Sequence, residues 1–156
     1  MPRALLAAFV LIQSVSGAAA PQSASNPSQE PVYKYDTHGI KLEGRLIERT
    51  FFGPPGFGET PALDARETVL VLALPRPITV QPTQHAQPED IAKHVREVQL
   101  LILPRQRKDS VRKLLGKSVV MTGTLNEATA PSEHLKVSMT VETFTEKDSN
   151  SSSTTR

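Results

Sequence analysis

Five short stretches of this chain are strand-like, and two of them carry a glycine where the alternation of apolar and polar residues calls for an apolar side chain. Ile40, Leu42 and Leu46 alternate with Lys41, Glu43 and Arg45, and Gly44 takes the apolar register between them. Val69 to Leu74 is an unbroken apolar run closed by Pro75 and Pro77. Val98, Leu100 and Ile102 alternate with Gln99, Leu101 and Leu103 as a third stretch. Val119, Met121 and Leu125 form a fourth, with Gly123 again on the apolar side. Leu135, Val137, Met139 and Val141 alternate with Lys136, Ser138, Thr140 and Glu142 as the fifth. A two-residue period is that of a strand with one buried face. A glycine on that face permits a bulge or the close approach of another backbone. The second stretch reads as a strand buried on both sides, with its prolines at an edge or beyond its paired portion.

Between the third and fourth stretches lies KDSVRKLLGK. Asp109 or Ser110 can cap a helix there, Val111, Leu114 and Leu115 share one face, and Gly116 is a suitable stop. The polar segment from Gln81 to Lys93 reads as a loop with a helical turn starting near Pro88. Three strands, a helix and two more strands is the plan of the oligonucleotide/oligosaccharide-binding fold. The chain is therefore expected to be mainly β, a five-stranded partly open Greek-key barrel with a short helix between its third and fourth strands. The glycines of the first and fourth strands suit the bends that closing a barrel requires. An open sheet with one packed helix is the alternative.

The ends read differently. MPRALLAAFVLIQSVSGAAA has one charge at Arg3, an apolar run from Ala4 to Ile12 and a small-residue tail, the pattern of a cleavable export signal over residues 1–20. Its apolar run falls short of the roughly 20 residues that span a bilayer. Removal after Ala18 or Ala19 is favoured, since a cut after Ala20 places Pro21 beside the scissile bond. Residues 21–31 are rich in Pro, Ser and Gln and read as a disordered linker, as do residues 146–156. The folded domain is expected over 32–145. The chain has no cysteine, which excludes disulfides, thiolate catalysis, sulfur-ligated zinc and lipid attachment at a cysteine after a signal. A periplasmic or secreted protein without a membrane anchor is the expectation.

One turn concentrates the aromatic residues. FFGPPGFGE holds Phe51, Phe52 and Phe57, three of the five phenylalanines of the chain, and is followed by Asp64 and Glu67. Together with LVLALPRPITV, VREVQLLIL and LLGKSVVMTGTL, this segment resembles the bacterial domain-of-unknown-function family 4431. Gly53, Pro54, Pro55, Gly58, Glu59, Pro61, Asp64 and Glu67 stand where the family has them, and the likeness runs from about Ile40 to Phe144. Members of that family often carry a histidine-rich run between the last two strands. This chain has TAPSEHLK there, with His134 alone.

The chemistry can be narrowed. A phosphate loop presents backbone N–H groups and usually a lysine. Here two prolines remove donors, no Lys or Arg lies between Gly53 and Ala65, and Glu59 and Asp64 repel anions. Phe51, Phe52 and Phe57 can instead form a rigid recognition edge, or plug the barrel end from beneath. Glu59, Asp64 and Glu67 are the spaced carboxylates near it, either an acid/base group or side chains that cap turn amides and pair with Arg66 and Arg49. His38, His85, His94 and His134 are too scattered for a metal and read as surface residues. Arg105, Arg107, Lys108, Arg112, Lys113 and Lys117 form a basic run without an aromatic residue, so it reads as a solvated helix face, with an anionic envelope polymer as the sharper alternative. A formal charge of +2 does not imply nucleic acid.

The sequence therefore points to a small non-enzymatic binding module without cofactor or metal, its ligand an envelope protein or glycan. Phe51, Phe52, Phe57, Glu59 and Asp64 are the candidate ligand-binding residues. Two further readings are an inhibitor or stress protein acting on an envelope hydrolase and a carboxylate enzyme using Glu59, Asp64 and Glu67.

Overall fold

A computed structural model describes residues 30–84, 87–103 and 106–147. Its strands are β1 (Val32–Lys34), β2 (Ile40–Phe52), β3 (Arg66–Gln81), β4 (Ala92–Leu101), β5 (Ser118–Glu127) and β6 (Val137–Glu146). A 3-10 turn at Pro88–Asp90 precedes β4, and helix α1 (Gln106–Arg112) joins β4 to β5. Hydrogen bonding runs β3–β2–β5–β6–β4 and returns to β3, so β2 to β6 close a five-stranded barrel. The expected opening is absent. The seam is narrow, however: β4 and β6 pair in parallel only at Gln99↔Ser138, Leu100↔Met139 and Leu101↔Thr140.

Closure depends on one strand serving two neighbours. β2 pairs with β5 from Ile40 to Arg45 and with β3 from Arg45 to Phe52. Gly44 sits at the change of partner, where an added Cβ would lie 2.4 Å from the carbonyl oxygen of Ala73. Gly123 is the matching point on β5, with a register shift against β6 and room for no Cβ within 2.1 Å of the Thr140 oxygen. Side chains facing inward from all five strands, among them Leu46, Leu72, Val98, Met121 and Met139, are fully buried.

Helix α1 begins before the anticipated caps, so Asp109 and Ser110 lie inside it. Val111 is buried among the barrel residues and Leu114 packs against them. The chain leaves through Gly116, at φ +78, whose N–H donates to the Leu46 oxygen over 2.8 Å. A side chain in that left-handed conformation is disfavoured, which explains the glycine stop.

Other boundaries moved for identifiable reasons. β1 shows no alternation and was not anticipated; it adds to the far end of β3 in parallel, Val32 opposite Thr79. β3 continues through Pro75 and Pro77 to Gln81. Its pairing with β2 ends at Ala73 and its register with β4 shifts between Ala73 and Ile78, so the prolines occupy a gap in the ladder where no N–H is needed. Glu30 is already tied to the barrel, accepting hydrogen bonds from Thr79 Oγ1 and the His94 amide. At the other end, the Lys147 N–H donates to Ser118. The stretch read as an export signal, the expected linker up to residue 29 and the tail from 148 lie outside the described residues. Among those described, no helix is long and apolar enough to cross a membrane.

Candidate functional site

The turn between β2 and β3 holds itself together. Its neck is closed by hydrogen bonds from the Gly53 N–H to the Ala65 oxygen and from the Ala65 N–H to the Pro54 oxygen. Inside it, Asp64 Oδ1 accepts from the Gly56 N–H at 2.7 Å and from Thr60 Oγ1, while Oδ2 accepts from the Gly58 N–H at 2.7 Å. Gly56 makes this possible, since an added Cβ would lie 2.8 Å from Asp64 Oδ1 and 2.6 Å from Thr60 Oγ1. Burial raises the Asp64 carboxyl, but the Gly58 and Gly56 amides and the contacts of Thr60 outweigh it and hold it below its ordinary value. Asp64 is therefore an internal clamp, one of the two roles expected for it.

With the Asp64 carboxylate and the Gly56 and Gly58 amides satisfied within the turn, its apolar side chains are left outside. Phe57 is 42% exposed and Leu63 75% exposed, with Glu59 exposed between them in sequence. Phe57 also has φ +49, a conformation that costs an L-residue roughly 1–2 kcal/mol. Such strain persists only where the surroundings fix the backbone. Here the Phe57 N–H donates to Gly53 and both neighbouring glycine amides are held by Asp64.

Phe51 and Phe52 do something else. Phe52 is half-buried under the Arg66 guanidinium, 3.8 Å from its ring centroid. Phe51 stacks on His134 with centroids 4.6 Å apart and planes 11° from parallel. The His134 side chain is only 7% exposed, and its Nε2 lies 3.0 Å from Glu67 Oε2. Gly53 leaves room for that carboxylate, because an added Cβ would meet Glu67 Cγ at 2.5 Å. The surface role expected for His134 is thus overturned: it fastens the loop between β5 and β6 to the base of the aromatic turn.

That loop covers a face of the barrel. Ile47, Val71, Gln99 and Ser138 are cross-strand partners in one row over β2, β3, β4 and β6. They alternate with the inward-facing Leu46, Leu72 and Val98 and so point outward, yet Val71, Gln99 and Ser138 are buried. The Gln99 amide grips the loop from both sides, donating from Nε2 to the Ser132 oxygen and accepting at Oε1 from the His134 N–H. Ser138 Oγ donates to Glu133 Oε1, and Glu133 Oε2 accepts from the Thr129 and Ala130 amides. Burial raises the Glu133 carboxyl, but Ser138 and the two amides prevail and lower it. Sequence reading missed Gln99, Glu133 and Ser138. The available signal was in VQLLIL, where Leu101 and Leu103 leave Gln99 as the one polar residue on the supposedly solvated side.

The other candidates separate. Glu59, Asp64 and Glu67 share no role: Asp64 holds backbone amides, Glu67 meets His134, and the Glu59 carboxylate makes no hydrogen bond among the described residues. Arg49 pairs with Glu97 rather than with any of them. Among the described residues, no group of three or more His, Asp or Glu is arranged to hold a metal. His38 and His94 remain largely exposed and meet Glu142 and Glu30, whereas His85 is outside the described residues. The basic run is partly drawn onto the barrel, with Arg112 against Glu48, Lys117 against Glu146 and Arg107 donating to the Glu142 oxygen. Arg105 is also outside the described residues.

Compared with family models, curated proteins and solved structures, the chain matches none.

Proposed function

We propose that this chain is a small exported, non-enzymatic binding module whose turn at residues 53–65 inserts Phe57, Glu59 and Leu63 into a recess on an envelope protein. The resemblance to family 4431 belongs to the same proposal, since the turn carries its most specific residues. One observation supports the reading above all: the turn satisfies its own hydrogen bonds while leaving an aromatic and an aliphatic side chain in water. A group already ordered before contact loses little entropy on binding, and aromatic anchors of this kind dominate interface energetics.

A protein suits this shape better than a glycan does. Barrels of this plan take oligomers on the face between the second and third barrel strands, flanked by these two loops. Here the outward row over that face is already covered by the loop fastened through Gln99 and His134. What remains is a projection, and a projection fits a cleft.

A photoreactive phenylalanine analogue at position 57 tests the proposal in an extract of the source cell envelope. One saturable cross-linked species is expected, displaced by the unlabelled protein and not by its Phe57→Ala variant. The same probe placed at Val32, which is exposed but far from the turn in sequence, should give none. Equal labelling from both positions would overturn the reading.

The inhibitor reading is the narrower form in which the recess is the substrate cleft of an envelope hydrolase, and the projecting turn favours it. Inhibition of a lysozyme-like activity by micromolar protein is then expected; full activity at that concentration removes it. The carboxylate-enzyme reading has less support, because Asp64 is taken up by turn amides and Glu67 by His134, which leaves Glu59 alone.

A further inference from the structure

The barrel wall is incomplete at the end of β2 remote from the aromatic turn. β2 pairs with β3 only from Arg45 onward, while residues 40–44 pair with β5 alone. The facing stretch of β3, from Leu74 to Ile78, has no partner on that side until β1 joins it at Thr79. Two clefts of about 270 Å³ and 180 Å³ lie in this gap and share Glu43, Leu74 and Pro75, so they adjoin as one groove.

Backbone hydrogen bonding decides what the groove can hold. The Leu46 N–H donates to the Lys117 oxygen, which aims the even-numbered peptide groups of β2 at β5. In an antiparallel ladder alternate residues bond to opposite sides, so Lys41 and Glu43 aim their N–H and C=O groups into the gap. Among the described residues, no backbone or side-chain group meets them. Across the gap, Ala73 pairs with Arg45 and the Thr79 N–H donates to Pro31, so the same edge of β3 falls to Pro75 and Pro77. Proline has no N–H to return, so β3 cannot complete the ladder with Lys41 and Glu43. A separate strand, with donors and acceptors of its own, can.

The groove also selects among strands. Its floor is formed by Leu42, Leu74 and Ile78, all buried. Its rim carries Lys41, Arg45 and Arg76, which are exposed and have no ion pair among the described residues. The rim carboxylate, Glu43, is taken by Lys147. Successive side chains of a strand face opposite ways, so a guest that alternates apolar and acidic residues sets the first kind over the floor and the second against the rim. Lysine and proline on an edge deter pairing with apolar strands. The same cations favour a strand that brings carboxylates.

We infer that this groove binds an extended acidic segment of a partner protein, which adds as a strand to residues 41–43 of β2, its apolar side chains over Leu42, Leu74 and Ile78 and its carboxylates against Lys41, Arg45 and Arg76. The groove lies at the other end of β2 from the aromatic turn, and either site can fail without the other.

Titration of the labelled protein with a capped peptide of alternating glutamate and valine, followed by backbone amide shifts and hydrogen exchange, tests the inference. The Lys41 and Glu43 amides should shift in a saturable way and exchange more slowly, because they gain acceptors. The same peptide with lysine in place of glutamate should bind at least about tenfold more weakly. Lys41→Glu combined with Arg76→Glu should weaken the glutamate peptide by at least about tenfold and leave thermal stability unchanged, since both side chains are exposed. No shift at millimolar peptide, equal binding of the lysine peptide, or full binding to the double variant would overturn the inference. Saturable shifts without slower exchange at Lys41 and Glu43 would show charge attraction alone and overturn the strand addition. If removal of residues 148–156 moves the same two amides before any peptide is added, the chain's own tail is the occupant; if protein concentration alone moves them, a second copy is. Either result would overturn the assignment to a partner.

Discussion

The two connections that meet at His134 solve the same problem in opposite ways. Each must satisfy the polar groups of a loop at the edge of a barrel. The turn at 53–65 does so within itself: Asp64 supplies the acceptors for Gly56 and Gly58, and the apolar side chains are left to solvent. The loop at 128–136 does so partly against the barrel, through Gln99 and Ser138, and buries the row that those residues define. A loop that closes its own hydrogen bonds can present side chains to a partner. A loop that closes them on the sheet removes that sheet from use.

The comparison can be broken most severely at Gln99. Gln99→Leu keeps the volume roughly but leaves the Ser132 carbonyl and the His134 N–H without partners, each worth about 1–3 kcal/mol when buried. Chemical denaturation should therefore show a loss of about 2–4 kcal/mol, and an unchanged midpoint would mean that the loop does not depend on the barrel. Next comes His134→Ala, which removes both the stack on Phe51 and the contact with Glu67. A loss of about 1–3 kcal/mol is expected, along with faster amide exchange in both loops; exchange confined to 128–136 would show that the two are not fastened together.

Asp64→Ala should leave global stability nearly intact and loosen only the turn, with the Gly56 and Gly58 amides exchanging much faster. Acid offers the same test without mutation. The folded-state pKa of Asp64 is depressed, so its contribution is complete above its ordinary 3.8 and is lost as pH falls through the lower folded value. The turn should loosen in that window, and Asp64→Asn should remove the transition. The smallest effect belongs to Phe57→Gly, which relieves the positive φ. Stability should stay within about 0.5 kcal/mol or rise, while the variant no longer displaces the partner cross-linked by the protein labelled at position 57; a large destabilisation would make Phe57 a structural plug.

The barrel was legible because its period is local. The inward residues of β2, β5 and β6 repeat every second position, and Gly44 and Gly123 mark the bends by interrupting that repeat. Pro75 and Pro77 were legible for the same reason, since a missing N–H can sit only where a ladder lapses. β1 was not legible, because three residues with no pattern become a strand only when the end of β3 is there to receive them. Nor was the covered face. Val71, Gln99 and Ser138 are distant in sequence, and only the strand register puts them in one row. His134 belongs with them: nothing near it in sequence announces Phe51 or Glu67. In the turn, composition spoke against a phosphate loop, but whether Asp64 would face inward or outward depended on the positions of the Gly56 and Gly58 amides.

Order in the free turn is what the whole account depends on, and backbone relaxation together with amide exchange of residues 53–65 in the isolated protein measures it directly. The account predicts order parameters like those of the strands, near 0.85 as in rigid backbone, with the Gly56 and Gly58 amides protected and a single rotamer for Phe57. Order parameters below about 0.6, with those two amides exchanging at unprotected rates, would contradict it.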